Sequence, residues 1–541
     1  MPWKKRWAYA AWVFVIGLFA MLHAMHLRAD FPNHSAWVAD WAKYTDEGWY
    51  GNAAIRAHLL GHWYLPGDFN PAPAVPVWPF LEFVLFFFTG VSAEAARGLA
   101  VGFFFANLVL SYFLLRTRGP RWMALLALTL LATNPFLYSF SRLAILEPLL
   151  IALTLAALNL AVRLPAFRYP VWAGVGIGAL FTLMMLTKTT AIFLLPALVG
   201  AALLALWPKP GLFWRCAAAA AGSFALSFGG WMALVMHAGL MADYEYLFQA
   251  NRYIKPTEFY WPAVSLWWCF HGALWVDTIL VPLAGVVVAA AVVGRKDAAF
   301  RRLLRDPVFG ASILAIAGYI LFMTVQNHPQ PRYYAVPAFF IFFIVAQGAH
   351  AFLGPGAKVS VARKGGANPR ARSMGGWAVL AVAAAAVGVN GASVLDYTAH
   401  PEYSLVQAAT RLTRYIDEHP NGKRLLVSVS GDEIMLMTHM PAINDLFDTP
   451  TAAMPDMGGK LIYYRPGWFA TWNTLDPGTL EDLHSFASVE QVASFPALDD
   501  PKRKVLVLFK LHPWAGGQAR DPGDENLQIR LPQDRFDIPL Q

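Results

Sequence analysis

Apolar runs of 17 or more residues recur through the first 395 positions, separated by short polar connections; beyond Leu395 the pattern changes to short alternating segments. A helix needs roughly 20 predominantly apolar residues to cross a bilayer, so the first part reads as a polytopic α-helical membrane protein. The strong runs are Trp7–Leu27, Gly98–Leu115, Met123–Phe140, Ala144–Val162, Val171–Thr187, Ala191–Trp207, Cys216–His237, Leu274–Val293, Val308–Val325, Val336–Phe352 and Trp377–Leu395, which makes eleven predicted spans. A further segment, Trp78 to Gly90, is shorter, follows Pro76 and Pro79, and carries Glu82. Apolar segments of ~10–14 residues are more often interfacial or re-entrant than spanning.

Basic residues decide whether that segment counts, because cytoplasmic loops carry an excess of Lys and Arg. With Lys4, Lys5 and Arg6 inside and the short segment left out, the inner loops hold Arg116/Arg118/Arg121, Arg163/Arg168, Lys209/Arg215, Arg295/Lys296/Arg301/Arg302/Arg305 and Lys358/Arg363/Lys364/Arg370/Arg372. Counting the short segment as a span inverts every later loop. The reading is therefore eleven spans, with the N-terminus inside and the C-terminal tail outside.

The same assignment sorts the acids. Asp30, Asp40, Asp46, Glu47, Asp68, Glu147, Asp243, Glu245, Glu258 and Asp396 fall at the external face, and only Asp297 and Asp306 inside. Residues 28–97 and 238–273 form the long external connections between spans; the second, with Tyr244, Tyr246, Trp261, Trp267 and Trp268, has the aromatic character of a segment lying in the interface. Residues 1–396 thus make a membrane domain and 397–541 a small extracytoplasmic α/β domain. In the tail, Arg424–Val429 and Lys504–Phe509 read as strands, Ala408–Glu418 as a helix, and the stretch from Gly516 as irregular. It has no nucleotide-binding glycine pattern and no metal-ligand spacing.

Composition agrees with the span pattern. Of 541 residues 57% are hydrophobic and 14% charged, against about 45–50% and 25% in soluble domains. The net charge of +8 divides unevenly: residues 1–396 hold 29 basic and 15 acidic side chains, residues 397–541 hold 13 and 19. An acidic tail on a basic membrane half gives nucleic-acid binding no support. Cys216 and Cys269 are too few for a disulfide framework. Trp3-Lys4-Lys5-Arg6 leads into an apolar stretch without a small-residue cleavage site, as an uncleaved first span would.

Candidate chemistry gathers at the external ends of the spans. Asp46 and Glu47 stand in the first loop at the start of a short predicted helix running to His58, followed by Gly48-Trp49-Tyr50. Arg142 and Glu147 lie in the second external turn, Lys188 in the very short turn after the fifth span, and Arg332-Tyr333 after the ninth. Taken singly each has a plain alternative: a snorkelling lysine, an interface anchor, a structural Arg142–Glu147 ion pair. Together, four connections bring charge to one face of the bundle. His58, His62 and His328 lie on that face too and read as solvated rather than metal-ligating.

With these positions in hand, the chain resembles a GT-C superfamily glycosyltransferase of the protein-mannosyltransferase and aminoarabinose-transferase type, glycosyltransferase family 39 and its relatives. The matching elements are Asp46-Glu47-x-x-Tyr50, Pro76-x-x-Pro79 before an interfacial helix, Gly90-x-Ser92 with Arg97, Glu147-Pro148, Leu186-x-Lys188 and Arg332-Tyr333. They cover about residues 1–350; each is short, and their order, spacing and sidedness make the combination specific. Two departures stand out. Where relatives often carry Lys-Pro-Pro this chain reads Ala74-Val75-Pro76-Val77, and the second acidic position is Glu147 where many relatives have Asp.

The resemblance implies transfer of a sugar from a polyprenyl-phosphate donor, drawn laterally from the outer leaflet, to a glycan, lipid or protein acceptor with inversion, in a bacterial inner membrane. Asp46 then serves as general base, with Glu47 and Glu147 as further catalytic carboxylates. Tyr50, Arg142, Lys188, Arg332 and Tyr333 contact substrate. Lys188 and Arg332 supply positive charge to the leaving phosphate. Glu147 has three roles open to it: orienting Arg142, holding a divalent metal ion with Asp46, or binding the acceptor. The rival is a transporter or flippase, disfavoured because the spans hold few mid-depth charges, Asp277 being the nearest exception. An acyl- or phosphotransferase would want a nucleophile or histidine-centred motif that does not stand out.

Overall fold

The computed structural model describes residues 2–30, 40, 42, 46–65, 68, 70–250, 260–326, 330–353, 369–444, 457–473, 483–484, 486–497 and 505–513. Among these, seven helices are long and apolar enough to cross a membrane, or eight if one bent pair makes a single span; four shorter apolar helices accompany them. Each predicted run falls largely on helical residues, though Trp7–Leu27 leaves its helix at Leu22 and Ala144–Val162 enters its helix at Glu147; two breaks are informative. Met123–Phe140 divides into Arg121–Thr133 and Pro135–Phe140. Pro135 has no N–H to continue the ladder, and Asn134 caps the second piece, its Oδ1 accepting from Leu137 N at 3.0 Å while its Nδ2 donates to Val276 O.

Within the connection 238–273, helices occupy Met241–Ala250 and Tyr260–Val276. The second break corrects one expectation. The expected span Leu274–Val293 is bent by 110° between Ala263–Val276 and Leu280–Val293. Asp277 makes that bend. Its Oδ1 accepts from Ile279 N and Leu280 N at 2.8 and 2.7 Å, and its Oδ2 from Asn390 Nδ2 at 2.5 Å. A run that is apolar on both sides of an Asx cap carries no mark of the bend in its hydropathy. Asp277 is thus a capping residue of a half-helix.

The Trp78–Gly90 segment is a helix, Val77–Thr89. At 1.5 Å per residue it is about 20 Å long, short of a ~30 Å hydrocarbon core. Trp78, Glu82 and Phe86 turn inward every fourth residue while Phe80, Phe87 and Phe88 are exposed. The first-loop helix forms as Glu47–Leu60 and is buried along Glu47–Arg56.

Beyond residue 400 a five-stranded sheet forms from β1 (Lys423–Ser428), β2 (Ala442–Ile443), β3 (Pro466–Trp472), β4 (Ala487–Pro496) and β5 (Val505–Pro513), in the order β2-β1-β3-β5-β4. The pairs β1·β2 and β1·β3 are parallel, β3·β5 and β4·β5 antiparallel. The two strands expected from sequence are β1 and β5, and the expected helix is Ser404–Glu418.

Among the described residues, three large apolar clusters and two small ones hold the molecule; the three large ones matter here. One fills the helix bundle and one lies on one face of the sheet. The remaining core is shared: Trp49, Tyr50 and Ile55 of the first-loop helix, Trp78 and Phe86, and Ile434, Met435, Trp468 and Leu508 of the C-terminal segment form one cluster. At ~1.5–3 kcal/mol per large buried apolar side chain, this joint is a major contact. Asp30 adds to it by accepting from Leu405 N at 2.7 Å, at the start of the Ser404–Glu418 helix.

Candidate active site

Four of the predicted side chains stand at helix ends for local reasons. Glu147 opens the Glu147–Arg163 helix with Pro148 behind it; an acid in the first turn and a proline at the first positions both suit a helix N-terminus. Lys188 ends the Pro170–Thr187 helix in an extended conformation, its N–H donating to Met184 O at 2.9 Å, with its cation near the negative end of the dipole. Arg332 and Tyr333 lie in a 3-10 turn, Pro331–Tyr334, ahead of the Ala335–Leu353 helix.

Arg332 is the hub. Its Nη1 donates to Asp40 Oδ1 at 2.6 Å and its backbone N–H to Asp40 Oδ2 at 2.8 Å. Its Nη2 pairs with Asp46, and its Nε stands 3.9 Å from Glu147 Oε1, beyond hydrogen-bond range. Lys188 Nζ pairs with Glu147 Oε1 and lies 4.1 Å from the centroid of the Tyr333 ring, a cation–π distance. Three carboxylates and two cations from four connections therefore form one network. Its side chains are 1–7% exposed except that of Asp46, at 14%. The carboxylate assigned as base is the most accessible of the three.

Two buried groups in the network lack hydrogen-bond partners: Arg332 Nε and Glu147 Oε2. Lys188 holds three N–H donors. Burial pulls the Lys188 pKa below the ordinary lysine range, and Glu147 opposes that. Tyr50 sits beside the network, its phenol pushed well above its usual value by burial and then by Asp46. Tyr50, Lys188, Gln326 and Tyr333 help line a cavity of about 60 Å³.

Other expected site residues stand elsewhere. Glu47 is buried and bound bidentately by Arg97, Nε to Oε1 at 2.7 Å and Nη2 to Oε2 at 2.6 Å, and Oε1 also accepts from Ala144 N. So occupied, it reads as a structural anchor for its helix rather than a base. Arg142 donates to Tyr138 OH at 2.5 Å and to the carbonyls of Met25 and His26, not to Glu147. The alternative of an Arg142–Glu147 ion pair gives way to Lys188–Glu147, because the turn before Glu147 carries Arg142 toward the end of the first helix. His58 faces Phe83 O at 2.9 Å, and His328 lies outside the described residues. Among the described residues no group of three His, Cys, Asp or Glu is arranged to hold a metal; the carboxylates here face cations.

Asp40 is the member that sequence reasoning did not single out. It was one of ten acids on the predicted face, and nothing local ties it to a residue 292 positions away.

The pairing of Glu47 with Arg97 makes a stability prediction. Arg97→Gln leaves a buried carboxylate short of its cation, which costs about 3–5 kcal/mol. Thermal denaturation in detergent should show a clearly lowered Tm; an unchanged Tm would count against the pair.

No family model matches this sequence, and no curated protein does. Solved structures are similar. ArnT from Cupriavidus metallidurans, bound to undecaprenyl phosphate, aligns with a TM-score of 0.60 and 15% identity, covering 94% of this chain and 99% of that one. The same protein in the apo state gives 0.60 and 15% over 93% and 98%. The oligosaccharyltransferase AglB from Archaeoglobus fulgidus reaches 0.48 at 13% identity, too low to weigh. The chain thus shares the fold of ArnT.

Proposed function

We propose that this chain is an integral membrane glycosyltransferase that moves a sugar from a polyprenyl-phosphate donor to an extracytoplasmic acceptor with inversion. The observation that carries the reading is one network holding two buried cations, Lys188 paired with Glu147 and Arg332 paired with the more accessible carboxylate of Asp46. The leaving group, polyprenyl phosphate, is a weak base that needs positive charge and no strong acid. In this reading its oxygens take the unused Arg332 Nε and Lys188 donors. Anion binding loosens the Arg332–Asp46 pair, and Asp46 then accepts the proton of the attacking hydroxyl or amine. The acceptor oxygen or nitrogen bonds to the anomeric carbon as the bond to phosphate breaks, from the opposite side, as in inverting glycosidases.

The lipid portion also has somewhere to lie. Ala53, Ala54 and Ala57 of the first-loop helix, with Pro73, Phe80 and Trp231, border an almost wholly apolar groove of about 500 Å³. One helix thus faces the cavity beside Lys188 with its first turn and the groove with its middle. A carrier lipid with its phosphate at Lys188 and its chain along the groove suits both, and the bound lipid phosphate of ArnT supports the same class of ligand.

The test is transfer in membranes from a panel of radiolabelled polyprenyl-phosphate sugars to an endogenous acceptor extract. Transfer from one donor supports the reading; well-folded protein that transfers from none overturns it in favour of a carrier-lipid transporter. Lys188→Ala should raise the donor KM about 10- to 100-fold, the worth of a charged hydrogen bond. A change confined to acceptor KM would contradict the role given to Lys188.

A further inference from the structure

The residue before a helix usually caps it: an Asp there accepts from the N–H groups of the first turn, which have no partner within the helix. Asp46 precedes the Glu47–Leu60 helix and makes no such side-chain bond; its backbone is helical at φ −78° and ψ −28°. Another carboxyl does the work from 385 positions away. Gly48 N donates to Glu433 Oε2 at 2.8 Å.

Glu433 belongs to a wider joint. Beside it, Asp432 Oδ1 accepts from Arg56 Nη2 at 3.0 Å and Oδ2 from Asn52 Nδ2 at 3.4 Å, while Arg56 Nη2 also reaches Asp68 Oδ2 at 2.5 Å. All five side chains are buried. The approach is close enough that a Cβ on Gly48 would lie 2.2 Å from the backbone carbon of Asp432. Only glycine fits at 48, for reasons of space.

We propose that Glu433 and Asp432 are positioning residues of the transfer site: Glu433 takes the place of Asp46 as the cap of the first-loop helix, so that the Asp46 carboxylate is turned to Arg332 and the acceptor. This role in transfer rests on the function proposed above; the capping itself does not. The C-terminal segment is, on this view, part of the scaffold of the site rather than an appendage.

The protonation of Glu433 follows from its surroundings. Burial raises its pKa well above the carboxylate range, and Glu47 and, more weakly, Asp46 on the first-loop helix add to that, while Arg97 and the Gly48 N–H oppose it. Asp432 stands next to it on its own helix, its pKa raised to about 6. A carboxyl whose pKa is higher when docked keeps its full docking contribution at low pH. That contribution is lost as pH rises from the ordinary carboxyl range through the raised value. Gln is isosteric with the protonated form and titrates nowhere.

Three variants of the full-length protein in detergent or nanodiscs test this. Glu433→Ala should lower kcat about 10- to 100-fold, the scale of a small misplacement of reacting groups, with donor KM within about threefold. Glu433→Gln should keep most of the wild-type kcat at neutral pH, since its amide oxygen accepts from Gly48 N–H. It should also retain activity further into the alkaline range than wild type. Gly48→Ala should behave like Glu433→Ala. A kcat unchanged in Glu433→Ala, or a Gln variant as impaired as the Ala variant, overturns the inference. Hydrogen exchange reads the capping without any substrate: Glu433→Ala should speed exchange of the Gly48–Gly51 amides on the order of fivefold, leaving Ala335–Leu353 unchanged. No such change would also overturn it. If wild type transfers no sugar while exchange responds as expected, the glycosyltransferase reading fails and the capping role stands.

Discussion

Asp46→Asn should reduce sugar transfer by about 10²- to 10⁴-fold, the usual worth of a general base, with expression and membrane insertion intact. Asparagine matches aspartate in size and its oxygen still accepts from Arg332, so the network around Arg332 keeps its shape. What disappears is a group able to take the acceptor proton. The comparison is informative because Asp46 is the most accessible carboxylate of the network while Asp40 and Glu147 are almost fully enclosed. Initial rates with a working donor, alongside gel filtration and thermal denaturation, separate lost chemistry from lost folding. A variant holding more than a tenth of wild-type activity would reject Asp46 as the base.

Arg332→Gln is expected to have the largest combined effect. It removes the only cation that bridges Asp40 and Asp46 among the described residues, leaving Asp40 buried with an unmatched charge. Breaking a buried pair in this way costs about 3–5 kcal/mol, so both Tm and activity should fall. Asp40→Asn in the same chain removes the stranded charge. It should recover much of the stability and none of the transfer, because the phosphate still lacks its cation. Arg332→Lys should sit between: charge is retained, yet a single ammonium cannot reproduce the fork that spans two carboxylates and a phosphate. If Arg332→Gln leaves Tm unchanged, or if Asp40→Asn restores transfer, the account of Arg332 is wrong.

How far the site was legible in the sequence can be judged residue by residue. Counting basic loops placed Asp46, Glu147, Lys188 and Arg332 on one face, and the structure brings these four into one network. At what was counted as the other face, Arg118 meets Asp306 at 2.6 Å, joining two connections assigned to the same side. The partners were less accessible. Arg142 was expected near Glu147 from a spacing of five, but the turn between them points Arg142 at the carbonyls of Met25 and His26. Glu47 looked equivalent to Asp46 because the two are adjacent. On a helix, neighbours point about 100° apart, so one reaches Arg332 and the other Arg97.

The apolar runs were enough by themselves to establish a polytopic helical bundle, because a span of the right length and composition is a local property of the chain. The capped bend at Asp277, the Asp40–Arg332 pair and the seat of the first-loop helix on Asp432 and Glu433 were decided only by the tertiary structure. Each is a contact between residues from 113 to 385 positions apart, or depends on one. No periodicity or motif records such a pairing, since the energy that selects it, burial of a charge against its partner, exists only once the helices have packed.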